Sequence, residues 1–367
     1  MKRAIIFGVT GQDGSYLSEL LLSKSYEVIG VARRSSTSNT ARINHFLNNT
    51  KFTLVQGDVT DITSINRILH EYSPHEVYNL AAQSHVWTSF KQPQLTWNVT
   101  AQGCLNVLEA ILTLPDTPRF YQASSSEMFG IVDGHQDENT PFNPQSPYAI
   151  AKLAAHNTTA LYRRAYDIFA CSGILFNHES ERRGESFVTR KITKWVGDLV
   201  RWESNTCREV QDARFHISED RISAPASRMY LDQMAVPAFP KLKLGNVLAK
   251  RDWGHAENYV EAMWLMLQHD QPDDYVIATG ETHSVEEFII EAFKCINIYG
   301  YEDYVKIDKD LYRPSEVPYL CGDSTKAQTV LGWKPTISFQ DLVRRMVAHD
   351  IQSRSEHGRV NTATARE

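Results

Sequence analysis

Tyr148 and Lys152 stand four residues apart in the run NPQSPYAIAKLAAHN, where an apolar helical pattern begins. Positions i and i+4 share one helix face, so the phenol and the ammonium can lean on one small volume. A tyrosine titrates near ~10 when unperturbed, too high to accept a proton at neutral pH. A nearby cation stabilises the phenolate, which can then remove a hydroxyl proton while hydride leaves the same carbon. A tyrosine at a helix start with a surface lysine after it is common. The pair gains meaning only from what surrounds it.

A second reactive group lies upstream in ASSSEMFG, where three serines and Glu127 follow a short apolar run. Open α/β sheets place their ligands at the carboxyl ends of parallel strands, and this segment reads as such an end. A serine hydroxyl there, Ser125 for instance, can bond a reacting oxygen. A carboxylate beside an apolar strand seldom lacks a task or a partner. Glu127 next to a hydride-transfer site points to chemistry after oxidation.

The sequence GVTGQDGSYL supplies the context. Gly8, Gly11 and Gly14 are spaced G-x-x-G-x-x-G between a strand pattern and a helix pattern. A dinucleotide site needs a tight turn, close backbone approach to a pyrophosphate and a helix N-terminus aimed at the anion. The bland alternative is a strand-to-helix turn with no ligand. The second strand ends VARRSS, placing Arg33, Arg34 and Ser35 where an acidic residue would bond the ribose of NAD. Cations and hydroxyls there suit a 2′-phosphate, so the expected cofactor is NADP. Asp58 closes the third strand, where it can meet an adenine amine or cap the next helix.

These groups need a frame, and the first half of the chain spells one out. Short apolar runs (Ala4–Phe7, Glu27–Val31, Thr53–Val55, Glu76–Leu80, Phe120–Gln122, Phe169–Phe176) alternate with helical periods (Ser15–Ser23, Ile62–Glu71, Leu95–Leu112, Tyr148–Tyr166). Such alternation spells α/β with a Rossmann-type doubly wound parallel sheet. Residues 1–176 are expected to form mainly the cofactor-binding domain. Residues 177–351 are expected to form mainly a smaller mixed α/β substrate-binding domain, with interleaved segments. A stretch at about 203–240 reads as an insertion, and 352–367 as a disordered tail.

Composition narrows the class. The 367 residues are 42% hydrophobic and 22% charged, with net charge -6, ordinary for one large domain or two joined ones. The acidic balance argues against nucleic acid as a partner. Five cysteines, odd in number and without a CxxC, read as free thiols of a reducing compartment. No run approaches the ~20 apolar residues of a membrane span, so a cytoplasmic protein is expected. No metal site is expected, since His178 and Glu179 lack a second ligand set at metal spacing.

Taken together, GVTGQDGSYL, VARRSSTSNTARI, NLAAQSHVWTSF, ASSSEMFG, SPYAIAK, FNHESERRGESFVTRKI, RPSEVPYLCGDSTKA and LGWKP resemble the extended short-chain dehydrogenase/reductase superfamily, and within it the GDP-mannose 4,6-dehydratase family. The resemblance implies an NADP-dependent hydro-lyase acting on GDP-mannose. Tyr148 takes the C4 hydroxyl proton during oxidation, Glu127 takes the C5 proton and returns one to the departing C6 hydroxyl, and hydride comes back to C6. Ser125 and Lys152 complete the catalytic set. By the same resemblance Gly8, Thr10, Gly11, Gln12, Asp13, Gly14, Arg33, Arg34, Ser35, Asp58, Val59, Leu80, Ala81, Ala82, Gln83, His178 and Arg183 hold the cofactor. Ser84, Asn177, Val188, Lys191, Leu244, Gly245, Arg251, Arg313 and Glu316 hold the nucleotide sugar. A homo-oligomer, dimer or tetramer, is implied as well. The chain departs from the family at Ser125, where threonine is usual, at Glu181, where proline is usual, and at Asn258, where aspartate is usual. Its 203–240 stretch is also longer. Two rivals remain: an NADP-dependent nucleotide-sugar epimerase or reductase, which would not need Glu127, and a non-enzymatic redox sensor, which could lose Tyr148 or Lys152.

Overall fold

Seven strands form one parallel sheet in the first of two compact units of the chain. That unit comprises Met1–Arg182, Lys250–Thr282 and Arg313–Ile337. The structure is a computed structural model and describes residues 1–213 and 239–363. The strands are β1 (Arg3–Phe7), β2 (Glu27–Ala32), β3 (Phe52–Gln56), β4 (Glu76–Asn79), β5 (Arg119–Ala123), β6 (Ala170–Leu175) and a last one, Asp274–Ile277. Across the sheet they run Asp274–Ile277, β6, β5, β4, β1, β2, β3. The order reverses between β1 and β4, the switch point at which doubly wound sheets bind ligands. Phe7, the last residue of β1, lies between Val31 and Asn79.

The strands are apolar because both faces are covered. On one face Ile6, Leu17, Leu21, Tyr121 and Met263 pack together; on the other, Ile5, Val77, Val107, Leu108 and Phe120 do. Helices α1 (Gln12–Ser23), α2 (Ile62–Tyr72), α3 (Val86–Lys91), α4 (Pro93–Trp97), α5 (Gly103–Leu112) and α6 (Pro147–Ala165) supply those layers in this part of the chain. The stretch expected as one helix over Leu95–Leu112 is interrupted: residues Asn98–Gln102 wind as one wider, π-helical turn between α4 and α5. At its end Gly103 lies against Val59, where a Cβ would come within 2.8 Å of Cγ2.

The second unit, Arg183–Ala249, His283–Tyr312 and Ser338–Glu367, is built around α7 (Val188–Ala213). The helix Val285–Lys294 begins with a reciprocal cap between Ser284 and Glu287. The helix Phe339–Ala363 is tied to α7 by Asp350, which pairs with Arg190 at 2.9 Å and accepts from Thr193 at 2.7 Å. Strands Leu242–Leu244 and Val305–Ile307 pair in parallel.

The long excursion expected at 203–240 opens in helix, since α7 runs on to Ala213; its part over 214–238 lies outside the described residues. The expected tail from 352 is helical to Ala363, and 364–367 lie outside the described residues. Among the described residues no helix is long and apolar enough to cross a membrane.

Candidate active site

The glycine loop is shaped by two close approaches. Gly8 has φ +85, and a Cβ there would lie 3.0 Å from the backbone of Leu80 and Ala81, the turn after β4. Gly14 faces the loop from inside α1, where a Cβ would lie 2.5 Å from the Gly8 carbonyl oxygen and 2.6 Å from Val9 Cα. Only glycine fits either place. Gly11 is the N-cap of α1 and gives the helix no side-chain cap, so amides of the first turn face the loop.

Around this loop lies a polar network. Asp13 meets the His178 ring, Oδ2 to Nε2 at 2.9 Å, while the other ring nitrogen bonds the Phe176 carbonyl at 2.8 Å. Gln12 donates to Asp13 and to the His178 carbonyl and accepts from Ser180. Asn39 reaches the Thr10 hydroxyl at 3.2 Å, and Arg42 bonds the Thr10 carbonyl. Arg33, Arg34 and Ser35 are exposed beyond β2. Asp58 accepts from the amide and hydroxyl of Thr60 through one oxygen, and Asp61 is the cap of α2. Val59 is buried, and Leu80, Ala81 and Ala82 are partly buried. Gln83 is bonded to His85 and Thr96, and Ser84 is exposed.

Helix α6 starts where its sequence says it should. Ser146 accepts from the Ala149 amide at 3.1 Å and Pro147 fills the first position, which needs no donor. Tyr148 and Lys152 therefore fall on successive turns, both buried, with the ammonium 5.8 Å from the centre of the phenol ring. Lys152 donates to the Ala123 carbonyl at 2.7 Å, at the end of β5. Burial pushes this ammonium from 10.5 down to about 8, with Cys104 and Asp13 opposing.

Ser125 accepts from the Glu127 amide at 3.3 Å and so opens a one-turn 3₁₀ helix, Ser126–Met128. The Glu127 carboxylate is buried between two guanidinium groups, 4.0 Å from Arg251 and 3.7 Å from Arg313. Glu316 approaches the same two arginines at 3.4 and 3.6 Å. Two carboxylates and two guanidinium groups thus form one closed square. Burial pushes Arg251 down from its usual value; Glu127 opposes this and Arg313 adds to it. Asp252 beside it accepts four bonds, from the amide and hydroxyl of Thr279 and the amides of Gly280 and Gly322. The Asn177 side-chain oxygen is buried and has no hydrogen-bond partner among the described residues.

The remaining expected residues belong to the second unit. Arg183 lies 3.7 Å above the Phe187 ring, Lys191 donates to the Lys243 carbonyl at 3.3 Å, and Val188 begins α7. Leu244 is buried, and Gly245 lies so close to Leu311 that a Cβ would come within 2.8 Å of its carbonyl oxygen. Two buried residues beside the catalytic candidates escaped the sequence reading. Ser124 and His156 meet at 3.1 Å. The available signal was spacing: His156 is one turn beyond Lys152 and two beyond Tyr148.

A glycine loop at the switch point of a parallel sheet, with a Tyr–Lys pair opening the helix before β6, defines a Rossmann-type fold of the extended short-chain dehydrogenase/reductase kind. Solved structures share that fold. One is dTDP-glucose 4,6-dehydratase from Bacillus anthracis in complex with NAD (TM-score 0.75, 16% identity, 97% of this chain and 98% of that one). Another is RMD from Pseudomonas aeruginosa complexed with NADPH (TM-score 0.69, 19% identity, 96% and 100%). The chain belongs to the GDP-mannose 4,6 dehydratase family, whose model matches residues 5–208 and 225–346. It is 48% identical over 361 residues to GDP-mannose 4,6 dehydratase 2 of Arabidopsis thaliana, covering 96% of this chain and 87% of that protein. Identity to the Homo sapiens GDP-mannose 4,6 dehydratase is 45% over 374 residues (95% and 91%), and to the Vibrio cholerae enzyme 42% over 390 residues (97% and 95%).

Proposed function

We propose that this chain is an NADP-dependent hydro-lyase that converts GDP-mannose to GDP-4-keto-6-deoxy-mannose and water. One observation carries the reading: a buried carboxylate, Glu127, lies on the turn after β5, the strand to which Lys152 is bonded, in the same unit as Tyr148. A simple oxidoreductase has no use for that group.

The loop residues fit a dinucleotide. Gly8 and Gly14 keep clear the space that Cβ atoms would fill, and the uncapped start of α1 offers amides to a pyrophosphate. Arg33 and Arg34 are exposed cations suited to a 2′-phosphate. Bound there, a nicotinamide supplies the hydride acceptor for C4 and the donor for C6.

Tyr148 takes the C4 hydroxyl proton, with the Lys152 ammonium favouring its phenolate. Ser125 donates to the oxygen at C4. The ketone formed there acidifies the C5 proton, which Glu127 removes. The C6 hydroxyl leaves as water with the proton Glu127 took from C5, and after hydride reaches C6 the proton that Tyr148 took from the C4 hydroxyl balances the one returned to C5. Arg251 and Arg313 are apt partners for a diphosphate, since guanidinium groups pair bidentately with phosphate oxygens; the Glu316 carboxylate and the Asn177 oxygen are acceptors that suit sugar or nucleoside hydroxyls. A homo-oligomer is part of the proposal: Leu95 and Trp97 of α4 and Ile150 and Leu161 of α6 are exposed apolar groups on two helices that pack together.

The test is Glu127→Gln, incubated with GDP-mannose and followed by mass spectrometry. Wild type yields a product lighter by one water with no net change in nicotinamide absorbance. The variant keeps nucleotide-sugar binding and loses dehydration by roughly 10²–10⁴-fold, the span of positioned acid–base groups. Dehydration by the variant at the wild-type rate would overturn the assignment.

A further inference from the structure

Two consecutive turns of α6 are bonded to two consecutive residues at the end of β5. Lys152 Nζ donates to the Ala123 carbonyl at 2.7 Å, and one turn later His156 Nδ1 meets Ser124 Oγ at 3.1 Å. Both partners of the second bond are buried, Ser124 at 4% exposure and His156 at 6%. The Ser124 amide donates to the Gly173 carbonyl at 2.9 Å, which holds this residue to β6. Directly beyond it the chain leaves the sheet for the turn that carries Glu127.

The ring at position 156 is well fixed. Its edge meets Phe142 at 5.3 Å and 75°. Burial pushes the imidazole below its usual value, Asp274 opposing and Arg163 adding to the push. A neutral imidazole has one donor and one acceptor nitrogen, and a hydroxyl can serve as either, so the pair is complementary in both directions.

We propose that the His156–Ser124 bond sets the position of the Ser125–Glu127 turn, making His156 a positioning residue for proton transfer at C5. The inference rests on the dehydratase reading above. Tyr148 is placed by the Ser146 cap and the helix backbone, and does not need this bond. Glu127 is different. It sits on a one-turn segment and is drawn toward Arg251 and Arg313. A fixed Ser124 side chain opposes that pull and keeps the turn against α6. Misplacing a catalytic group by ~1 Å can cost on the order of a hundredfold in rate.

The experiment compares wild type with His156→Phe, His156→Asn and Ser124→Ala, each with NADP and GDP-mannose, in steady state and single turnover. His156→Phe is expected to lower kcat by about 10- to 100-fold with little change in KM. Reduced nicotinamide should accumulate transiently in single turnover, because oxidation at C4 proceeds while elimination lags. His156→Asn, whose amide reaches the place of Nδ1, restores most of the rate. Ser124→Ala repeats the His156→Phe phenotype, and the double variant is no worse than either. If wild type leaves GDP-mannose intact, the dehydratase reading itself fails. If wild type dehydrates it and Ser124→Ala does so equally fast with no transient, this inference fails, whether or not the phenylalanine variant folds.

Discussion

Replacing Lys152 by methionine should make the cofactor-free protein more stable while removing its activity. The ammonium is buried and donates to the Ala123 carbonyl at 2.7 Å. Burial holds it at about 8 against 10.5. Below about 8 the folded chain must carry this charge in an apolar setting, so the penalty is fully present there; it fades as pH rises towards 10.5, where the unfolded chain also loses the proton. A depression of 2.5, from 10.5 less about 8, converts to about 3 kcal/mol at neutral pH. Methionine has a similar apolar stem and no charge. It forfeits the bond to Ala123, but that carbonyl still accepts from Gln122 at 2.9 Å. The lost bond costs about 1 kcal/mol, leaving a net gain near ~2 kcal/mol. The assay is urea denaturation of both proteins without cofactor at several pH values. The methionine advantage should shrink by about 2 kcal/mol between about pH 7 and pH 9.5 as wild type sheds its charge. A variant less stable than wild type at neutral pH, or an advantage independent of pH, would refute the burial argument.

Three further outcomes are expected. Gly14→Ala forces a Cβ to within 2.5 Å of the Gly8 carbonyl oxygen, so titration calorimetry should show cofactor affinity down at least about tenfold; unchanged affinity would mean the loop is not the phosphate site. Arg33→Ala with Arg34→Ala should reduce the preference for NADP over NAD by about 10- to 100-fold, and an unaltered ratio would assign these arginines elsewhere. Asp252→Asn places an amide where four donors converge and should lower unfolding free energy by about 2–4 kcal/mol, read by denaturant midpoint; a neutral substitution would show that those bonds are not made together.

Much of the first unit could be read from the chain because its signals are local. Each of the six strand runs expected up to Phe176 is a strand, with no end shifted by more than one residue. The helix at SPYAIAK begins at Pro147, as a Ser cap followed by proline prescribes. Other features were hidden for reasons of distance. Strand Asp274–Ile277 is four residues long and pairs with β6 about a hundred positions earlier in the sequence; no local period announces it. Helix α7 passes through residues expected to begin an irregular excursion. Earlier along that helix Trp195 stacks on Phe293 at 5.4 Å, a partner remote in sequence.

By itself the sequence settles which groups exist and which faces of which elements carry them: glycines at a strand–helix junction, a phenol one turn from an ammonium, a carboxylate after an apolar strand. Spacing along one helix or one turn is enough for that, because backbone geometry converts it directly into direction. The tertiary structure decides what each group meets. Arg251 and Arg313 reach Glu127 from segments over a hundred residues downstream, and His156 finds Ser124 across the gap between α6 and β5. Those meetings depend on how the sheet is ordered and how each connection returns to it. They set burial and local charge, and with burial the lowered proton affinity that makes Lys152 more than a surface group.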